Sequence, residues 1–184
     1  MKDIKLHDKK FEIYLTENEI REIVKKVAEE INNSGIENPL FIAVLNGSFL
    51  FAADLMRKIT LPNSEISFIK LASYEGTITT GKVNELIGIN ADIKGRNVII
   101  LEDIVDTGNT LVKLTEMVEN KEVASLKVAT LLYKPEAYLK EIPINFIGKS
   151  IPNKFVVGYG LDYDEIGRNL PHIYNLKINY KPLC

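Results

Sequence analysis

Residues 97–117 read NVIILEDIVDTGNTLVKLTEM, and this stretch decides the class of fold. Residues 98–101 are a short apolar run rich in β-branched side chains, set off by Ile93 and Gly95 upstream. Such a run reads as a strand buried on both faces, as in a parallel sheet. Glu102 and Asp103 follow at its C-terminal end. Adjacent strand residues point to opposite faces, so the two acids cannot both sit unpaired in the core. Asp106, Thr107, Gly108, Asn109 and Thr110 form a small polar turn, after which Leu111, Leu114, Met117 and Val118 take helical spacing. A strand, a glycine turn and a helix N-terminus bring backbone N–H groups and the positive end of the helix dipole to one point. That is a phosphate site.

The carboxylates set this turn apart. A loop that only held phosphate would avoid them, and the motif G-x-x-x-x-G-K-[ST] needs a lysine that is absent here. Two roles therefore stand side by side. Residues 107–110 suit a phosphate, and Glu102 and Asp103 suit hydroxyls, such as a ribose diol, or a metal. An isolated Asp-Thr-Gly is also read as an ordinary helix N-cap. Capping does not account for two further acids that end a buried strand.

Working outward, residues 11–15 alternate as a short strand. Thr16 and Glu19 carry the capping-box spacing, and Ile20, Ile23, Val24, Val27 and Ile31 follow at helical spacing until Asn33-Ser34-Gly35. Residues 40–45 are a second fully apolar strand. Asn46-Gly47-Ser48 turns out of it into a helix over 49–59, apolar nearly all round and expected to pack on two sides. Residues 65–71 read as a strand, 73–81 as a polar Gly/Thr-rich loop, 83–89 as weakly alternating, and 123–133 as a strand ending at Lys134. From Tyr138 onward Pro143, Pro152 and Pro171 break the pattern, with short strand-like runs at 155–157 and 173–176.

Alternating strands and helices predict an α/β fold, a mainly parallel sheet flanked by helices. Ligands of such sheets bind at the carboxyl ends of the strands. Four of those ends supply polar groups: Asn46, Gly47 and Ser48; Ser73 and Tyr74; Glu102 to Thr110; and Lys134. The N-terminal segment and roughly residues 138–184 are expected to form a small lobe over them, within a single domain spanning 1–184.

Composition narrows the function class. A chain of 184 residues, 46% apolar and 26% charged, is long enough for a real core without metals or disulfides. A net charge of -2 argues against a nucleic-acid partner. The single cysteine, Cys184, excludes a disulfide framework and points to a reducing compartment. No run approaches a membrane span, and the charged N-terminus lacks an apolar signal core, so the expectation is a cytoplasmic protein without a membrane partner. His7 and His172 have no partners at ligand spacing. Gly-x-Ser-x-Gly is absent and Ser48 has no evident base, against a serine hydrolase.

Residues 98–111, with the hydrophobic strand, the Glu102-Asp103 pair and the Asp106-Thr107-Gly108-x-Thr110 loop, resemble the phosphoribosyl-diphosphate motif of type I phosphoribosyltransferases. From about residue 40 to 168 the sequence is similar to the hypoxanthine(-guanine) phosphoribosyltransferases, with the dense match K-F-V-V-G-Y-G-L-D-Y over 154–163. The resemblance implies a type I phosphoribosyltransferase fold whose small lobe, the hood, holds the nucleobase. It implies a Mg2+-dependent enzyme of purine salvage that moves ribose 5-phosphate from phosphoribosyl diphosphate to hypoxanthine, and also to guanine, giving IMP or GMP and diphosphate.

It further implies roles. Asp106, Thr107, Gly108, Asn109 and Thr110 take the 5-phosphate, and Glu102 and Asp103 the ribose hydroxyls, directly or through Mg2+. Asp106 is the catalytic base at the purine. Asn46, Gly47, Ser48 and Arg168 take the diphosphate, and Ser73 and Tyr74 open a mobile loop that closes over the centre. Lys134 donates to a 6-oxo group, Phe155 stacks on the purine, Val156 offers backbone groups, and Asp162 lies near a second metal and the base. Asn46 departs from the commoner family pattern, which often has Lys or Arg there, and the family often has a cis peptide at Leu45-Asn46. A homodimer or homotetramer is expected. Two alternatives remain open: a relative acting on another base such as xanthine, and a non-catalytic regulator of the same fold that binds RNA or a nucleotide.

Overall fold

The computed structural model describes residues 3–71, 85–89 and 91–177. Among these the chain runs β1 (Ile4–Leu6), β2 (Lys9–Leu15), α1 (Glu17–Asn32), β3 (Leu40–Val44), α2 (Phe49–Met56), β4 (Glu65–Leu71) and β5 (Glu85–Ile87). It continues with β6 (Asn97–Val105), α3 (Asn109–Glu119), β7 (Ser125–Tyr133), β8 (Phe146–Ser150), β9 (Val156–Val157) and β10 (Ile173–Leu176).

The large sheet has six strands in the order β5-β4-β3-β6-β7-β8. β3 pairs in parallel with both β4 and β6, and β6–β7 and β7–β8 are also parallel. Only β5 is antiparallel, on the edge against β4. The apolar runs occupy the centre because they can bury both faces: every residue of β3 is buried. Alternation along β6 then divides the core. Ile99 and Leu101 join Phe41, Ala43 and the buried faces of α1 and α2, while Val98 and Ile100 join Leu40, Ile42 and the buried face of α3. Helices thus cover both sides of a mostly parallel sheet, the α/β architecture that alternation predicts.

α1 starts where the capping box places it. The Thr16 hydroxyl accepts from the Glu19 N–H at 3.3 Å, and the Glu19 carboxylate accepts from the Thr16 N–H at 2.8 Å. Three elements differ from the sequence reading. β6 does not end at Leu101 but carries its pairing through Glu102 to Val105, so the acids lie inside the strand. α2 stops at Met56 rather than Ile59 and packs on one side, burying Phe51, Ala52 and Leu55 while Phe49 and Ala53 stay exposed. β8, hidden among the prolines, belongs to the large sheet. Its Gly148 lies so near Leu131 O and the Ile23 side chain that a Cβ would collide with both, which lets α1 sit close over β7 and β8.

A second sheet, antiparallel, has the order β1-β2-β10-β9. It draws on residues 4–15 and 156–176, with a core of Phe11, Val157 and Tyr174. Leu15, Val156, Tyr159, Leu161 and Ile173 share one apolar cluster with Phe41 and Leu101, so the two sheets rest on common packing. Among the described residues no helix is long and apolar enough to cross a membrane.

Candidate active site

Two strand-to-helix turns open at the carboxyl end of the large sheet, one on each face. The first leaves β6. Gly108 is the N-cap of α3 with φ +80°, and it has no side chain to satisfy the first helical N–H groups. Those donors, beside the exposed Thr107, Asn109 and Thr110, surround a cavity of about 90 Å3 lined by residues 104–111 and Glu102. Unspent N–H groups at the positive end of a helix dipole are an anion site. Residues 107–110 therefore come together as the sequence requires.

The second turn leaves β3. The Leu45–Asn46 peptide is cis. Gly47 lies against the Asp103 carboxylate, where a Cβ would overlap Oδ2, and its carbonyl lies where a Cβ on Gly160 would be. Ser48 turns its donors inward. Its hydroxyl donates to Val44 O at 2.6 Å, its N–H to the same carbonyl at 3.2 Å, and it is fully buried. Both groups close the turn between β3 and α2, and the N–H groups of Asn46 and Gly47 are among the donors left to a ligand.

The alternation that splits the core also splits the acids. Glu102 continues the Val98–Ile100 face and lines the cavity at α3, whereas Asp103 continues the Ile99–Leu101 face and meets Gly47. Each turn therefore has one carboxylate. Burial pushes the Glu102 carboxyl well above its usual range, and neighbouring Asp103 pushes it further the same way. Burial likewise raises Asp103 to about 6, against the pull of the Ile104 N–H, which donates to it at 2.9 Å, and of the Arg168 charge.

Asp106 and Lys134, 28 residues apart in sequence, form an ion pair at 2.6 Å across the ends of β6 and β7. The Lys134 side chain is 8% exposed and the Asp106 side chain 43%. Lys134 is held by its own N–H donating to Val105 O at 3.0 Å. An ammonium has three donors, and Asp106 takes one. A buried cation next to an open carboxylate can both donate to a carbonyl and accept a proton. Each residue stands out in the sequence as a polar group at a strand end, but their pairing does not.

The segment 155–168 closes the other side. The Arg168 guanidinium donates to Gly160 O at 3.0 Å and pairs with Asp162 at 2.8 Å and Glu165 at 3.3 Å. The Arg168 and Asp162 charges both bear on Asp103, so this arm reaches the second turn. Val156 faces Asn175 across the β9–β10 ladder, and the Leu176 N–H donates to Phe155 O at 3.0 Å. In an antiparallel ladder that register turns the N–H and C=O of Val156 away from β10, toward the open edge of the small sheet. Phe155 is 44% exposed and makes its ring contacts with Phe11 and Tyr163. Gly160 was not singled out by sequence reading; the glycine-rich context of 158–160 was the available signal. Ser73, Tyr74 and Cys184 lie outside the described residues.

No group of three or more His, Cys, Asp and Glu side chains converges on one point among the described residues, so Glu102, Asp103 and Asp162 do not form a closed three-ligand cage. The donor set still suits Mg2+, which is commonly held by one or two carboxylates together with substrate phosphates and water. Two desolvated carboxylates whose ionised forms are disfavoured are sites where a cation is welcome.

The model of the phosphoribosyl transferase domain matches residues 11–164. A hypoxanthine-guanine phosphoribosyltransferase of Staphylococcus epidermidis is 42% identical over 167 residues, covering 90% of this chain and 93% of its own. One from Streptococcus pneumoniae is 42% identical, covering 90% and 92%. The crystal structure of a Staphylococcus aureus hypoxanthine phosphoribosyltransferase superposes with TM-score 0.82 at 39% identity, over 90% of this chain and 91% of that one. A Bacillus anthracis hypoxanthine-guanine phosphoribosyltransferase gives TM-score 0.82 at 41% identity, over 91% and 97%. With helices on both faces of a mostly parallel sheet, and with these matches over most of its length, the chain belongs to the phosphoribosyltransferase domain family.

Proposed function

We propose that the chain is a 6-oxopurine phosphoribosyltransferase of purine salvage, joining ribose 5-phosphate from phosphoribosyl diphosphate to hypoxanthine, and to guanine, with release of diphosphate. The observation that carries the choice of base is the Asp106–Lys134 pair. Lys134 has donors to spare for a 6-oxo group and none of its atoms can accept from a 6-amino group. Asp106 is the neighbouring acceptor for the proton that the attacking purine nitrogen must lose.

The rest of the site fits the same reaction. The 5-phosphate rests on the turn at Thr107, Gly108, Asn109 and Thr110. Glu102 accepts from the ribose on that side. Asn46 and Gly47 N–H groups and Arg168 take the diphosphate, with Asp103 beneath them. The bond from the sugar's anomeric carbon to the diphosphate oxygen breaks as the bond to the purine nitrogen forms. Glu102 and Asp103 then lie near the positive charge that develops on the sugar. Bound Mg2+ would supply charge to the diphosphate and help it leave; Asp103, Glu102 and Asp162 are the residues that would hold it, directly or through water. Phe155 covers the purine face and Val156 offers N–H and C=O to its edge.

We read 1–184 as one phosphoribosyltransferase domain with the small sheet as its hood. The exposed Phe49 and Ala53 face of α2 is where a second copy would pack in a homodimer or homotetramer. A lone cysteine supports a reducing, cytoplasmic setting. The test is incubation with Mg2+, phosphoribosyl diphosphate and each nucleobase in turn. IMP from hypoxanthine, with GMP from guanine and no AMP, is expected. No nucleotide from any base would overturn the enzyme reading in favour of a regulator, and XMP alone would move the assignment to xanthine.

A further inference from the structure

Phe155 precedes a two-residue edge strand and the residue is 44% exposed, so the core does not fix its orientation. What lies against it is an aromatic group of the small sheet. Tyr163 meets it edge-on at 5.7 Å and 80°, Phe11 lies at 6.2 Å, and Tyr163 and Phe11 are 6.0 Å apart. Phe11 is fixed by complete burial in the core, whereas Tyr163 is held by polar and ring contacts. Its hydroxyl donates to Asp8 at 2.8 Å, the Lys9 ammonium stands 4.4 Å over its ring, and His7 contacts it edge-on at 5.4 Å. Its backbone closes a tight turn with Ile166 through bonds of 2.9 and 3.3 Å. His7 and Asp8 form the turn between β1 and β2, and Lys9 opens β2. The hairpin thus fastens Tyr163 through three side chains at one site, and Lys9 also reaches 5.9 Å from the Phe155 ring.

A half-exposed aromatic that must stack on a ligand loses rotamer freedom when it does so, unless it is already held. We propose that Tyr163, fastened by Asp8 and Lys9, is a positioning residue that holds the Phe155 ring in the orientation that covers the purine. This rests on reading Phe155 as the purine cover. It also gives the β1–β2 hairpin a part in base binding, since its residues act on the purine through Tyr163. Tyr163 adjoins Asp162, whose carboxylate pairs with Arg168, so one turn carries the brace on the purine side and the arm on the diphosphate side.

Steady-state kinetics of the full chain with hypoxanthine and phosphoribosyl diphosphate tests it, each variant being checked for an unchanged melting curve. Tyr163→Leu is expected to raise KM for hypoxanthine about five- to ten-fold, the worth of one aromatic pair, with KM for phosphoribosyl diphosphate little changed. Tyr163→Phe, which keeps the ring, should recover most of that loss. The surface double variant Asp8→Ala, Lys9→Ala should raise the hypoxanthine KM about two- to three-fold, and it decides the matter if Tyr163→Leu does not fold. An unchanged hypoxanthine KM, or both KM values rising together, overturns the brace. Phe155→Leu separates the two readings. If it raises the hypoxanthine KM while the Tyr163 and hairpin variants do not, the brace alone fails. If Phe155→Leu has no effect, the purine cover is misassigned and the brace falls with it.

Discussion

The turn after β6 and the turn after β3 solve the same problem by different means. Both follow a parallel strand, both lead into a helix, and each has one carboxylate, buried at Glu102 and half-buried at Asp103. The β6 turn is open: Thr107, Asn109 and Thr110 are exposed, and Gly108 leaves the head of α3 uncapped. The β3 turn is closed: Ser48 spends its donors on Val44 O, and Gly47 is wedged between Asp103 and the loop at Gly160. In the reaction proposed above, the first offers many donors to the phosphate that stays on the product. The second offers fewer, and Arg168 adds a cation for the diphosphate that must leave. A tightly built turn with few donors holds a leaving group in place without holding it too strongly.

Substitutions at the two glycines break this comparison most sharply. Gly47→Ala puts a methyl group into the Asp103 carboxylate, with Gly160 leaving no room to retreat. A displacement of about 1 Å at a reacting centre can cost about 10²-fold, so kcat/KM should fall about that much. A loss of only a few-fold would mean that the wedge does not set the geometry. Gly108→Ala meets the Tyr138 and Lys140 side chains, which can swing aside, but it also forces a residue with a side chain to φ +80°. Left-handed backbone costs about 1–2 kcal/mol, which lowers Tm by about 2–8 °C. A several-fold rise in KM for phosphoribosyl diphosphate should accompany it; an unchanged Tm would show that the turn relaxes.

The smallest effect concerns the acid under the closed turn. Asp103 ionises at about 6 in the folded protein against an ordinary 3.8. Its folded form holds a proton more tightly than its unfolded form, so its contribution is fully present below about pH 4 and is lost as pH rises through about 6. In metal-free protein Asp103→Asn should therefore raise Tm by a few degrees at pH 7.5, have little effect at pH 4.5, and lower activity. A variant less stable at pH 7.5 would show that Asp103 is ionised at no cost.

Much of this arrangement could be read from local pattern. The Thr16–Glu19 capping box, the apolar run of β3 and the strand-turn-helix at 97–117 are sequence-adjacent signals, and each forms as its chemistry requires. What was not legible depends on partners far away in the chain. The β6 acids stay inside the strand because β7 pairs alongside them. β8 contains Gly148 and Lys149, so its apolar content is too low to mark a strand, and pairing with β7 makes it one. The turn of the Ser48 hydroxyl onto Val44 O is likewise set by the fold. His172, without any ligand-like spacing, accepts the Glu17 N–H at the head of α1 from 155 residues away.

In the proposed reaction Asp106, which opens the turn after β6, handles the base together with Lys134 rather than the phosphate. Asp106→Asn keeps the shape and the hydrogen bond to Lys134 but not the proton acceptor. Steady-state kinetics with hypoxanthine should show kcat lower by about 10²–10⁴-fold while KM for phosphoribosyl diphosphate barely moves. Turnover close to that of the unaltered protein, or a loss confined to phosphoribosyl diphosphate binding, would contradict the account.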